Sequence, residues 1–212
     1  DGGVISEVEW TYKDGKKDGS YTNWYENGQK KWEESYKNDK KYSRTNFYKS
    51  GQMKSEGTFK DEKQDGLWTL WYENGEKKFE GNYKDGKENG LVTKWYENGQ
   101  KQYESNWTDG KQDGLRTDWY ENGQMNQEVT FKDGKPVGLI NQWYENGQMS
   151  YEVNYKDGKK SGLWNFWYEN GQKVKEGNYK DGKDDGLWNF WYETGQKKWE
   201  SNNKGGKLDG LV

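Results

Sequence analysis

The sequence repeats itself with a period of 24 residues. Each unit begins with Trp-Tyr-Glu-Asn-Gly-Gln or a close variant, and only the first spacing is shorter, at 23 residues. The first aromatic residues of the units are Trp24, Phe47, Trp71, Trp95, Trp119, Trp143, Trp167 and Trp191. A fixed period of this length is typical of repeat proteins, in which each unit packs mainly against its neighbours. It predicts one continuous array of about eight units over residues 1–212, with half-units at both ends and an irregular loop near residues 38–44, where the short unit lacks its glycines.

Each unit contains two turn signals between runs of β-forming residues. An Asn-Gly pair such as Asn74-Gly75 follows the aromatic residues and predicts a type I′ turn, whose two central residues need positive φ. A glycine-punctuated segment such as 181–186 predicts a six-residue loop at the other end of the strands. Strands of about seven to nine residues lie between the turns. We therefore expect an all-β fold, an elongated, single-layer antiparallel meander of tandem β-hairpins.

The predicted turns also assign the side chains to two faces, because paired residues share a face and neighbours along a strand alternate. One face is expected to carry the first tryptophan of each unit, a leucine and a glutamate. The other face carries a second aromatic residue and the positions that vary from unit to unit. Around the last tryptophans the register predicts three pairs: Phe190 with Trp199, Trp191 with Lys198, and Tyr179 with Trp188.

The composition indicates a core built from rings and excludes several classes of function. The chain has 14 Trp, 17 Tyr and 6 Phe but no Cys and no His. Thiol and imidazole nucleophiles, Ser-His-Asp triads and ordinary zinc sites are therefore excluded. The formal net charge of −3 lacks the basic excess that nucleic acids and anionic membranes attract. We expect no cofactor, no nucleic-acid partner and no membrane partner.

Two acidic patterns are interpreted as structural. The glutamate column has one member in every unit: Glu33, Glu56, Glu80, Glu104, Glu128, Glu152, Glu176 and Glu200. A catalytic pair of carboxylates needs two different environments, whereas these residues recur in equivalent positions. The Asp-Gly-Lys segments resemble a calcium loop only superficially, because a lysine such as Lys135 stands where a ligand is needed. The chain is therefore not expected to be an enzyme or to bind a metal.

Two columns vary strongly within this constant framework. The first variable column is Tyr21, Arg44, Trp68, Val92, Arg116, Ile140, Trp164 and Trp188, and the second is Asn23, Asn46, Leu70, Lys94, Asp118, Gln142, Phe166 and Phe190. Variation on a constant scaffold is where a repeat protein can place partner specificity. The alternative is that these positions merely tolerate change. The candidate contacts for a protein partner are Trp68, Leu70, Lys94, Arg116, Asp118, Gln142, Trp164, Phe166, Trp188 and Phe190.

Two further kinds of binding follow from the same pattern. Rows of exposed aromatic rings could bind a glycan or cell wall, which is the alternative to a protein partner. Both ends of the sequence stop within a unit, so terminal strands with open edges are expected to favour self-association by strand addition.

The segment from Phe79 to Gly90, Phe-Glu-Gly-Asn-Tyr-Lys-Asp-Gly-Lys-Glu-Asn-Gly, resembles the Tyr-Glu-Gly-x-Trp-x-x-Gly-x-x-x-Gly core of MORN repeats. The Trp-Tyr-Glu-Asn-Gly-Gln half is similar to the bacterial MORN-variant repeat, which occurs in antitoxin-labelled proteins and in surface or secreted proteins. The resemblance covers nearly the whole chain. It implies an array of hairpins with a binding or scaffolding role and no catalytic residues.

Overall fold

The computed structural model describes residues 11–209, and within that range every regular element is a β-strand. The strands are β1 Tyr12–Lys13, β2 Lys16–Lys17, β3 Gly19–Trp24, β4 Lys30–Lys37, β5 Lys40–Phe47, β6 Met53–Lys60, β7 Lys63–Trp71, β8 Lys77–Lys84, β9 Lys87–Trp95, β10 Lys101–Thr108, β11 Lys111–Trp119, β12 Met125–Lys132, β13 Lys135–Trp143, β14 Met149–Lys156, β15 Lys159–Lys160, β16 Gly162–Trp167, β17 Lys173–Lys180, β18 Lys183–Trp191, β19 Lys197–Lys204 and β20 Lys207–Leu208.

The described part of the chain divides into two compact units, residues 11–101 with 107–110 and residues 102–106 with 111–209. In the first unit, strands β3 to β9 pair antiparallel in chain order. In the second unit, strands β11 to β20 do the same, with both β15 and β16 pairing to β14. The predicted antiparallel meander of tandem hairpins is therefore confirmed. The single array over residues 1–212 stays a prediction, and the extreme ends of its half-units lie outside the described residues.

The Asp-Gly turn is tighter than predicted. At Asp85 and Gly86 φ is 51° and 82°, as a two-residue type I′ turn requires, and Lys84 pairs with Lys87 across it. The predicted six-residue loop is wrong, because the residues assigned to it begin the next strand. A bulge lies beyond the turn, because Gly81 pairs with Val92 and Tyr83 pairs with Glu88. One residue of β8 therefore lies opposite three residues of β9.

The bulge also corrects the register that was predicted across this turn. Tyr179 pairs with Asp184, so the predicted pairing of Tyr179 with Trp188 is wrong. The two rings still touch edge to face, with centroids 5.1 Å apart.

The short unit contains no irregular loop near residues 38–44. Asn38 and Asp39 have φ of 50° and 65° and form a tight turn between β4 and β5. Ser35 pairs with Ser43 and Tyr36 with Lys41, so the bulge of this hairpin holds one extra residue where the Gly81–Tyr83 bulge holds two. The 23-residue unit is therefore one residue shorter than the others in its bulge, and its turn keeps the same length.

The Asn-Gly turn is not the predicted type I′ turn. In the segment from Tyr72 to Glu76, the Gly75 N–H donates to Tyr72 O and the Tyr72 N–H donates to Glu76 O. Positive φ occurs at Gly75 and not at Asn74, which is the pattern of a type I turn followed by a glycine bulge. Asn74 Oδ1 accepts a hydrogen bond from the Glu76 N–H at 2.9 Å and so stabilises the turn.

This glycine bulge moves part of the register by one residue. Trp191 pairs with Lys197, so the predicted pairing with Lys198 is wrong. Beyond the bulge, Phe190 pairs with Trp199 as predicted. The assignment of the framework and the variable columns to opposite faces is preserved.

Hydrogen bonds at both ends of the strands connect consecutive repeats. At one end, the Tyr144 hydroxyl donates to Trp167 O at 2.7 Å and Asn146 Nδ2 donates to Glu169 O at 2.9 Å. At the other end, the Gly182 N–H donates to Lys160 O at 3.0 Å. The same contacts recur in several other repeats. The constant residues of the period therefore serve mainly to hold each hairpin to the next one.

Candidate functional site

The ten residues predicted to contact a partner lie on the face of the variable columns, and in the second unit this face carries the apolar core. Trp164 and Trp188 retain only 7% and 4% of their exposure and pack with Val129, Ile140 and Val153. The other eight predicted residues are partly exposed. Trp164 and Trp188 are thus core residues, whereas Trp68 in the first unit occupies the same column and remains accessible.

The first variable column is matched in size and charge by a column on the neighbouring strands. This opposing column consists of Glu34, Gly57, Gly81, Ser105, Val129, Val153, Gly177 and Ser201. A Cβ placed on Gly57 would lie 2.2 Å from the Trp68 indole, and one on Gly177 would lie 2.1 Å from the Trp188 indole. Tryptophan is therefore seated over glycine, while Ile140 pairs with both Val129 and Val153. The opposing column is a signal in the sequence that explains part of the variation as packing.

Three charged members of the variable columns, Arg44, Arg116 and Asp118, are paired within the protein. Arg116 Nε and Nη2 donate to Asp118 at 2.8 Å and 2.7 Å, and the guanidinium lies 4.6 Å from the centre of the Tyr103 ring. The hydrogen bonds to Asp118 raise the pKa of Arg116 above its usual value. Arg44 Nη1 likewise lies 3.2 Å from Glu34 Oε1. A partner would therefore meet a neutralised pair at Arg116 and Asp118.

Three of the remaining predicted residues also contact other side chains. Gln142 Nε2 donates to Asn126 Oδ1 at 3.3 Å. Phe166 lies 4.4 Å from Lys175 Nζ. Phe190 stacks on Trp199 with ring centroids 3.8 Å apart. Leu70 and Lys94, both partly exposed, belong to the first unit.

The opposite face exposes a row of leucines that the repeat pattern assigns to the framework. This leucine column consists of Leu67, Leu91, Leu115, Leu139, Leu163 and Leu187, each between 44% and 50% exposed. The residues paired with them across the strands are polar, such as Asn154 opposite Leu139 and Asn178 opposite Leu163. The signal was present in the sequence: a constant apolar residue whose cross-strand neighbours are Asn or Thr has little to pack against.

Four members of the glutamate column form an ion pair with the lysine three residues earlier in the same strand. Lys30 Nζ lies 2.9 Å from Glu33 Oε2, and the same ion pair joins Lys77 to Glu80, Lys173 to Glu176 and Lys197 to Glu200. Glu152 instead accepts a hydrogen bond from Asn165 Nδ2 at 3.3 Å. These contacts give the column a structural role.

Residues 11–209 contain no cluster of three or more acidic side chains that could hold a metal ion. Nor does this part of the chain form a helix long and apolar enough to cross a membrane.

Seven segments of the chain match the family described as MORN repeat variant: residues 17–38, 43–61, 64–85, 88–109, 112–133, 136–157 and 160–181. A full-length match such as 64–85 spans two strands, β7 and β8, and the Tyr-Glu-Asn-Gly turn between them. A comparison with curated proteins gave no match. Since the matched segments make up more than half of the sequence, the chain belongs to the MORN repeat variant family and is a scaffold of tandem β-hairpins.

Proposed function

We propose that this MORN-variant scaffold is not an enzyme and binds a protein partner along the face that carries the leucine column. The observation that supports the proposal is the even exposure of that column. In the second unit, Leu115, Leu139, Leu163 and Leu187 project from alternate strands, roughly 10 Å apart. Rows of exposed apolar side chains mark interaction sites on soluble proteins.

The surroundings of the leucines suit a protein interface. Exposed Asn and Thr side chains and the Lys–Glu pairs lie beside the apolar row, which resembles the apolar core and polar rim of known interfaces. Burying the exposed part of one leucine contributes only about 1 kcal/mol. Useful affinity therefore requires contact with several leucines at once, which favours a partner that extends across several strands.

The partly exposed residues of the variable columns form a second predicted contact surface. Around Arg116 and Asp118, however, the polar groups already satisfy one another. A partner on this side would have to break that pair or cover it, and covering a neutral pair yields little affinity. The leucine face therefore has the stronger physical case.

The test compares adjacent residues that point to opposite faces. A triple variant, Leu115→Ser, Leu139→Ser and Leu163→Ser, removes the leucine row, and the control is the double variant Arg116→Ala and Asp118→Ala. Partners are crosslinked in cells of the source organism, identified by mass spectrometry, purified, and titrated against each variant. Circular dichroism and thermal unfolding verify the fold.

We expect the triple variant to bind at least about tenfold more weakly and the control to bind as the natural chain does. The reverse pattern would assign binding to the variable columns and contradict the leucine proposal. The identity of the partner, a toxin or a surface protein, would distinguish an antitoxin-like role from a surface interaction module.

A further inference from the structure

A depression in the first unit differs from its counterpart in the second unit. It has a volume of about 320 Å³ and is lined by Ser55, Gln64, Trp68, Leu70, Phe79 and Tyr83. This volume lies near the lower end of the range for small-molecule sites, which are mostly apolar with a few polar groups. The depression lies on the face opposite the leucine column, so it is separate from the proposed protein interface.

The floor of the depression is a tryptophan ring fixed in orientation. Trp68 pairs with Gly57 and Gly81, and the absence of a side chain at Gly57 lets the indole lie directly over that strand. The indole Nε1 donates to Thr58 O at 3.1 Å, and the Phe59 ring meets the indole edge to face at 5.2 Å. The ring is therefore held before any ligand arrives, which lowers the entropic cost of binding.

The equivalent ring in the second unit has a cover that Trp68 lacks. Trp188 is stacked under Phe190 with centroids 6.3 Å apart, and Lys175 Nζ lies 5.9 Å from its ring. The corresponding residues around Trp68 are Leu70 and Ser55, which are smaller. Smaller residues at two repeat positions thus leave the Trp68 ring accessible, whereas the Trp188 ring is buried.

The chemistry of the lining selects a neutral, hydroxyl-rich ligand. None of the six lining residues is charged. Gln64 offers a side-chain amide that has no partner among residues 11–209, and the Ser55 hydroxyl accepts from Asn46 Nδ2 at 2.8 Å and can donate to a ligand. A flat ring with electron-rich faces attracts polarised C–H groups, while the amide and hydroxyl suit hydroxyl groups.

We propose that this depression is a saccharide site in which a neutral pyranose ring stacks on Trp68 and hydrogen-bonds to Gln64 and Ser55. One ring has about a dozen non-hydrogen atoms, so at ordinary ligand efficiency the dissociation constant is on the order of 1 mM.

The experiment uses calorimetric titration of the full chain with cellotriose, chitotriose and maltotriose. Trp68→Ala removes the platform, and Ser55→Lys introduces the side chain that stands at the equivalent position 175 and covers the ring there. Both are expected to abolish binding. Gln64→Ala removes one hydrogen-bonding group and should weaken binding about tenfold.

Two matched variants serve as controls. Gln112→Ala changes the same repeat position beside Arg116 in place of a tryptophan, and Trp199→Ala removes a ring that is 44% exposed but lies outside the depression. Neither should alter the affinity. Because Ser55→Lys keeps Trp68, it remains informative even if Trp68→Ala unfolds.

Three results would overturn the proposal. The first is the absence of binding by all three saccharides at concentrations well above the expected dissociation constant. The second is unchanged binding in Ser55→Lys, and the third is an equal loss in Gln64→Ala and Gln112→Ala. Loss of a protein partner in Ser55→Lys without saccharide binding to the natural chain would reassign the depression to protein contacts.

Discussion

In six repeats the tyrosine that follows the first aromatic residue donates a hydrogen bond to a backbone carbonyl 22 or 23 residues later in the sequence. Tyr144 illustrates this role: its ring is partly buried, and its hydroxyl donates to the Trp167 carbonyl of the next repeat at 2.7 Å. The carbonyl lies at the end of a strand, where the chain turns away from its pairing partner. A constant side chain thus supplies a hydrogen bond that the sheet ladder does not provide, and this explains why the aromatic segment changes little along the sequence.

We predict that Tyr144→Phe lowers the free energy of unfolding by about 1 kcal/mol, the net value of one hydrogen bond. The matched control is Tyr192→Phe at the same repeat position, since the Tyr192 side chain is 49% exposed and its hydroxyl has no partner within the described part of the chain. Urea unfolding of the two variants measures the difference. Equal losses would show that the Tyr144 hydroxyl contributes nothing specific to the connection between repeats.

At the scale of strands and turns, the sequence predicted the elements better than their connections. The alternation of aromatic and polar residues was sufficient to locate the strands and to assign the faces. The type I′ turn was assigned to Asn-Gly but forms at Asp-Gly, because both residue pairs can adopt positive φ. The choice depends on the bulge at Gly81–Tyr83, which takes up residues that were counted as loop. The burial of residues in the variable columns was not predicted either, because it depends on residues of adjacent strands. Trp188, which lies over Gly177, is an example.

The match between the first variable column and the opposing column leads to a prediction of coupling. Gly177→Val should force the Trp188 indole away and cost about 1–3 kcal/mol, and Trp188→Ile should leave a cavity costing about 2–4 kcal/mol. The double variant reproduces the observed Val129–Ile140 pair, so its loss should be smaller than the sum by at least about 1 kcal/mol. Urea unfolding of the single and double variants gives the coupling energy. Additive losses would mean that the two columns vary independently.

In both units the constant framework stabilises the fold, whereas the variable columns make the units differ in packing and exposure. The same turns, bulges and inter-repeat hydrogen bonds recur within both units. The leucine column is also present in both, with nearly constant exposure. The variable columns make the units differ: aromatic residues fill the core of the second unit, whereas smaller neighbours expose Trp68 in the first. A constant face and a locally specialised face can therefore coexist within the same repeat.

If each repeat contacts mainly its neighbours, the second unit should tolerate loss of one whole period. Deleting residues 136–159 joins Lys135 to Lys160, which occupy consecutive positions of the 24-residue period, so the repeat pattern continues across the junction. We expect this variant to keep its β-sheet circular dichroism and to unfold cooperatively, with stability lower by about 1–4 kcal/mol, the ordinary contribution of two dozen residues.

The control deletes residues 148–159, half a period, which places two strands of the same type beside each other. That mismatch brings together columns that never pair in the natural chain, so the control should lose far more stability than the longer deletion. Thermal and urea unfolding of both variants provide the comparison, and a full-period deletion that is as damaging as the half-period one would refute the nearest-neighbour account of this scaffold.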